Sequence, residues 1–189
     1  MFKRFIQMRF SEKPSNNQKK NLDKKIRILG VDPGSRVSGY ALVDLNRNKL
    51  DLIDYGSVKL PAKVDGEKLE KLFEFLTMII NKFKPDMLAL EKVFIGKNAV
   101  SAIKLGQVRG VILLTCQRLE VEQFDYSPNE IKKALTGIGH ASKEQIQFMA
   151  KQIFKLKKTP EVDAADAIAV AVCHANNYTY KKLMLSAEK

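Results

Sequence analysis

The sequence predicts an α/β protein, a mixed β-sheet flanked by helices. Three observations carry that prediction. Three apolar, β-branched runs follow one another closely at 26–31, 39–45 and 49–58. From residue 66 onward, stretches with helical and strand patterns alternate. The chain has 189 residues, 45% of them hydrophobic and 29% charged, which suits one globular domain with a real core.

The first two runs flank "DPGSRVSG", where Asp32 is followed at once by Pro33-Gly34, a turn signal between strands. A helix is predicted over 66–83, because Leu69, Leu72, Phe73, Leu76 and Ile80 recur near the helical period. "DMLALE" at 86–91 reads as a buried strand ending in Glu91. A long helix follows at 98–118, then a short strand, "VEQFD". Ser127-Pro128 opens the next helix, with serine as N-cap and proline at the first helical position, and "TGIGH" ends it. Ser142 and Gln145 make a capping box for a helix at 143–156. Thr159-Pro160 begins the last helix, which runs through "EVDAADAIAVAVCHA".

The charge is strongly positive, +12, and makes nucleic acid or another polyanion the natural partner. Half of that excess lies in residues 1–25, where eight Lys/Arg face only Glu12 and Asp23. That stretch is polar and poor in apolar residues and reads as a disordered basic tail. The expected organisation is a tail at 1–25, one domain at 26–178 and a short basic tail at 179–189. Cys116 and Cys173 form neither a metal pair nor a disulfide framework, which points to a reducing, cytoplasmic setting. No continuous apolar run reaches the length of a membrane span, so no membrane partner is expected.

The chemistry lies in the acids. Asp32 and Glu91 each end an apolar strand, where an ionised carboxylate without a partner is costly. The last helix adds Asp163 and Asp166, three residues apart and so on one face of an otherwise apolar helix. Each acid alone has an ordinary role as a turn cap, a strand end or a helix-dipole partner. Together, four acids directed at one place repel one another unless cations neutralise them, and hard divalent cations do so through oxygen ligands. Other motifs fail. "GSRVSGY" has P-loop glycine spacing but Tyr40-Ala41 in place of Lys-Ser/Thr, and no nucleophile elbow is present. His140 and His174 stand apart in sequence, as a loop residue and a packed helix residue.

In order and spacing, "ILGVDPGSRVSGYALVD", "LALEKVFIGKNAVSAIKLGQVRGV", "TGIGHASKEQIQFM" and "EVDAADAIAVAVCHA" resemble the bacterial RuvC Holliday junction resolvases, over about residues 26–177. The resemblance implies a ribonuclease H-like fold and a homodimer that resolves four-way DNA junctions by paired nicks. It implies Asp32, Glu91, Asp163 and Asp166 as catalytic residues and as ligands of Mg²⁺, or Mn²⁺, with two ions per site. It further implies DNA contacts from Phe94, Lys97, Lys132, Lys133 and Lys143, and a junction branch-migration helicase complex as partner. Phe94 is equally at home buried beneath its loop, and the lysines as solvated surface charges. The long helix at 98–118 is the family's dimer surface, although its apolar stripe suits a plain core as well. The alternatives are another ribonuclease H-like nuclease on a different nucleic acid, or a junction-binding protein that does not cleave. An actin-like ATPase needs a second phosphate turn, which the sequence lacks.

Overall fold

The computed structural model describes residues 25–61, 64–92 and 99–187. The expected N-terminal tail, Phe94 and Lys97 lie outside these residues, apart from Lys25. Among the described residues there are five strands: β1 (Ile26–Asp32), β2 (Val37–Asn46), β3 (Lys49–Lys59), β4 (Met87–Glu91) and β5 (Glu122–Tyr126). Five helices accompany them: α1 (Asp65–Phe83), α2 (Ala99–Arg118), α3 (Pro128–Thr136), α4 (Lys143–Ile153) and α5 (Val162–Ala187). The sheet runs β3-β2-β1-β4-β5. β1, β2 and β3 form an antiparallel meander, while β4 and β5 join parallel to β1.

The strands alternate, apart from a bulge in β3 opposite Leu42 and Val43, which gives the sheet two buried faces. Ile26, Ile28 and Ala89 pack into one cluster with apolar residues of α3, α4 and α5. Leu29, Val31, Leu88 and Leu90 pack into the other with Leu72, Leu76 and Ile80 of α1 and Val108 and Ile112 of α2. The period of two therefore assigns the strand ends: Asp32 follows Ile26 and Ile28, and Glu91 follows Ala89, toward the face covered by α5.

Two glycines let α5 approach that face. A β-carbon on Gly30 would meet the carbonyl of Ala167 and lie 2.7 Å from the amide of Ala171 and 2.8 Å from its methyl. One on Gly39 would collide with the carbonyl of Asp163. Gly39 is the register partner of Asp32, so the opening of α5 lies directly over the end of β1. Ser57 ties the neighbouring strand to the same place, its hydroxyl donating to the Glu161 carboxylate at 2.6 Å.

Three elements differ from the sequence expectation. α4 ends at Ile153, not 156, and Lys155 beyond it has a left-handed φ of 51°. α5 continues to Ala187, past the expected domain end at 178, where residues of adequate helix propensity prolong it. α2 is long and apolar enough, by length and composition alone, to cross a membrane, with a mean hydropathy of 1.4. Lys104 and Arg109 interrupt its apolar run but leave the average high.

Candidate active site

Asp32 and Glu91 are brought together by the sheet. β1 and β4 are parallel neighbours with Val31 paired to Leu90, so the next residues on each strand stand side by side at one edge. The turn after Asp32 is fixed by Ser38, whose hydroxyl donates to the Gly34 carbonyl at 3.1 Å and accepts from its amide at 3.2 Å. α5 supplies Asp166 from above. Asp32, Glu91 and Asp166 line one pocket of about 300 Å³, together with Pro128, Ile131, Lys132, Lys143 and Ile146.

The two lysines arrive on helix starts set by local sequence. In α3, Ser127 accepts from the Glu130 amide while the Glu130 carboxylate accepts from the Ser127 amide, a capping box behind Pro128. The predicted box of Ser142 and Gln145 opens α4 in the same way and sets Lys143 at its first position. Between the helices, Gly137 closes α3 at a φ of 77°. His140, as expected, is an exposed turn residue.

The electrostatics of the pocket are those of crowded anions. Burial pushes the Asp32 carboxyl up to about 8, reinforced by the charges of Glu91 and Asp166 and, more weakly, of Asp163. Glu91 is raised by burial and by Asp166, against a hydrogen bond with Asp32 and the opposing pull of Lys132 and Lys143. Asp166 is raised by burial and by Asp163, with Lys143 and Lys132 again opposing. The lysines thus offset only part of the repulsion. Asp163 acts on the pocket through its charge but is not among the lining residues, and exposed Lys133 stands outside them too.

The donor set fits a hard divalent cation: every candidate ligand is an oxygen, and the carboxylates are held in energetically unfavourable proximity. Among the described residues, no group of three or more Asp, Glu, His or Cys side chains is spaced to hold a metal ion as it stands. A divalent cation held by these carboxylates would supply an activated water for attack on a phosphodiester.

A family model described as crossover junction endodeoxyribonuclease RuvC matches residues 28–174, a span that contains all four acids and both pocket lysines. The chain belongs to the RuvC family of crossover junction endodeoxyribonucleases. Its RuvC relative from Halothermothrix orenii is 43% identical over 153 residues, covering 80% of this chain and 93% of that protein. The RuvC of Geobacter sulfurreducens is 39% identical over 162 residues, covering 85% and 99%. Among solved structures, Thermus thermophilus RuvC in complex with a Holliday junction substrate aligns with a TM-score of 0.77 at 28% identity, covering 83% of this chain and 97% of that one. The yeast mitochondrial resolvase Ydc2, at 11% identity and a TM-score of 0.61, shares the fold. The chain is accordingly an α/β nuclease of the ribonuclease H-like kind, and its family is metal-dependent.

Some residues that shape this RuvC site carry no signal in the sequence reading. Arg109 of α2 donates through Nη1 to the Glu91 carbonyl at 2.9 Å and through Nη2 to both carboxylate oxygens of Asp125 at 2.7 Å. Behind the pocket, the Tyr126 hydroxyl shares a 2.7 Å hydrogen bond with His174 Nδ1, and His174 Nε2 lies 3.1 Å from Met87 Sδ. His174 is buried, as expected of a packed helix residue, and burial holds it down at about 4, so it is neutral. All these contacts span long sequence separations, which no local spacing announces.

Proposed function

We propose that the chain resolves four-way DNA junctions as a homodimer, with Asp32, Glu91, Asp163 and Asp166 holding two Mg²⁺ ions, which Mn²⁺ replaces. The observation that carries this reading is the meeting of Asp32, Glu91 and Asp166 with Lys132 and Lys143 in one pocket. The carboxylates bind and orient the ions. When bound, these supply a water of lowered pKa and neutralise the leaving oxygen of an in-line displacement, giving 5′-phosphate and 3′-hydroxyl ends. Lys132 and Lys143 hold the phosphates flanking the scissile bond. Phe94, Lys97 and Lys133 extend the DNA contact beyond the pocket, Phe94 by stacking on a base at the junction. The basic segment 1–25 adds phosphate contacts without sequence or shape preference.

The dimer reading rests on α2. Val100, Ile103 and Leu114 are 63%, 65% and 58% exposed, and with Gly110 they form one stripe along the helix. A β-carbon on Gly106 or Gly110 would meet nothing, so a second α2 has room for close approach. Two sites related by a two-fold axis match the two like strands of a junction. The reading also includes a cytoplasmic location and cooperation with a branch-migration helicase complex, both drawn from the family.

The test is incubation with Mg²⁺ and three DNAs: a mobile four-way junction, a duplex and a single strand. Paired, symmetric nicks in the junction alone are expected. Equal cleavage of duplex makes the chain a different ribonuclease H-like nuclease. Junction binding without cleavage makes it a binding module.

A further inference from the structure

We propose that Arg109 is a positioning residue for the Glu91 carboxylate, an inference that rests on the metal-site reading above. Glu91 is the last residue of β4, and the ladder to β5 closes there with the Lys92 amide donating to the Tyr126 carbonyl at 2.8 Å. The Glu91 carbonyl is held from the opposite face of the sheet. Arg109 Nη1 reaches it from α2 at 2.9 Å, and Nη2 sits between the two Asp125 oxygens, each at 2.7 Å. Asp125 is the register partner of Leu90, so one guanidinium pins the ends of both parallel strands.

The guanidinium is largely covered while Asp125 is 41% exposed, and an ion pair at that exposure contributes little to stability. Its stronger consequence is geometric. The Arg109 bond fixes the orientation of the final peptide of β4, and with it the direction in which the Glu91 side chain leaves the strand. A metal ligand tolerates displacements of only about 0.5 Å. Arginine suits the task because its planar fork serves two acceptors at fixed angles, which a lysine ammonium cannot do. Arg109 touches no reacting atom. It acts through Glu91, as an outer partner that orients a ligand.

The experiment compares Arg109→Met, Asp125→Asn and Glu91→Gln in the full chain. Mg²⁺ binding without DNA is followed by calorimetry, together with single-turnover junction cleavage, metal-free junction binding and thermal melting. Arg109→Met is expected to weaken Mg²⁺ binding or cleavage by about 10- to 100-fold, the range for lost outer partners of metal ligands. Metal-free junction binding should be unchanged. Asp125→Asn keeps the bond to Glu91 but frees the guanidinium, so its effect should run the same way and be smaller. Because Asp125 is a surface residue, that variant carries the test if Arg109→Met folds poorly. Wild-type Mg²⁺ binding and cleavage in both, with Glu91→Gln inactive, would overturn the role of Arg109 and leave the site standing. A lowered melting temperature with unaltered metal affinity would overturn it too, reducing the arginine to a structural clip. Parallel loss of metal-free junction binding would make it a DNA contact instead. Unimpaired Glu91→Gln would remove the metal-site reading itself.

Discussion

Asp32 is a carboxyl whose folded environment favours the proton. Its folded value of about 8 lies far above the ordinary 3.8, because burial and three neighbouring acids oppose ionisation. Without metal, the folded state then binds more protons than the unfolded one, so stability falls as pH rises from about 4 to 8. Melting in chelator is expected to show this decline. Asp32→Asn should flatten it and raise the melting temperature at neutral pH by several degrees, since each kcal/mol is worth about 2–4 °C at this size. A melting curve independent of pH in that window would refute the crowded site. The same variant, and Asp166→Asn, should lower single-turnover cleavage by orders of magnitude and leave metal-free junction binding intact or tighter, because an anion near the phosphates is gone. The two measurements together separate a metal ligand from a helix cap, whose loss would cost about 1 kcal/mol and spare cleavage.

At the scale of elements, the meeting of α5 with the sheet depends on atoms that are missing. Gly39→Ala would drive a methyl into the Asp163 carbonyl. It is expected to cost about 1–3 kcal/mol as overpacking and to displace both acids of α5, abolishing cleavage. Gly66→Ala, in the first turn of α1 with open space around it, is the control. It should leave cleavage unchanged and stabilise by about 0.4–1 kcal/mol, which chemical denaturation of both variants would show. The elements themselves were largely legible. Apolar, β-branched runs bounded by turn residues mark the strands, Ser127-Pro128 and Ser142 mark the starts of α3 and α4, and Asp-x-x-Asp in an apolar helix marks the acids of α5. What no local pattern discloses is that β4 lies beside β1, or that Gly30 and Gly39 sit beneath α5. Both follow from chain topology. Lys132 and Lys143 were singled out through family resemblance, and their place in the pocket depends on how α3 and α4 pack beside α5. The apolar stripe of α2 is visible in the sequence, but not that Arg109 turns toward the end of β4.

At the scale of the whole molecule, the exposed stripe of α2 and the charge of the N-terminal segment make separate predictions. Ile103→Glu should shift the protein from dimer to monomer by light scattering and suppress paired nicking, while Glu91-dependent Mg²⁺ binding persists. A dimer that tolerates the charge would place the contact elsewhere. Removing residues 1–25, which carry a net +6, should weaken binding to junction and duplex alike and flatten its salt dependence. Selective loss of junction preference would contradict a non-specific role.

The acids of the site are contributed by the first strand, the fourth strand and the final helix, so the set spans residues 32 to 166. α5 also fills the centre of one of the two buried clusters. A chain still being synthesised, or one that stops short of α5, therefore lacks both the centre of that cluster and Asp166 of the pocket. Core closure and assembly of the pocket are therefore coupled during synthesis: the same helix that seals the sheet face delivers the third pocket acid.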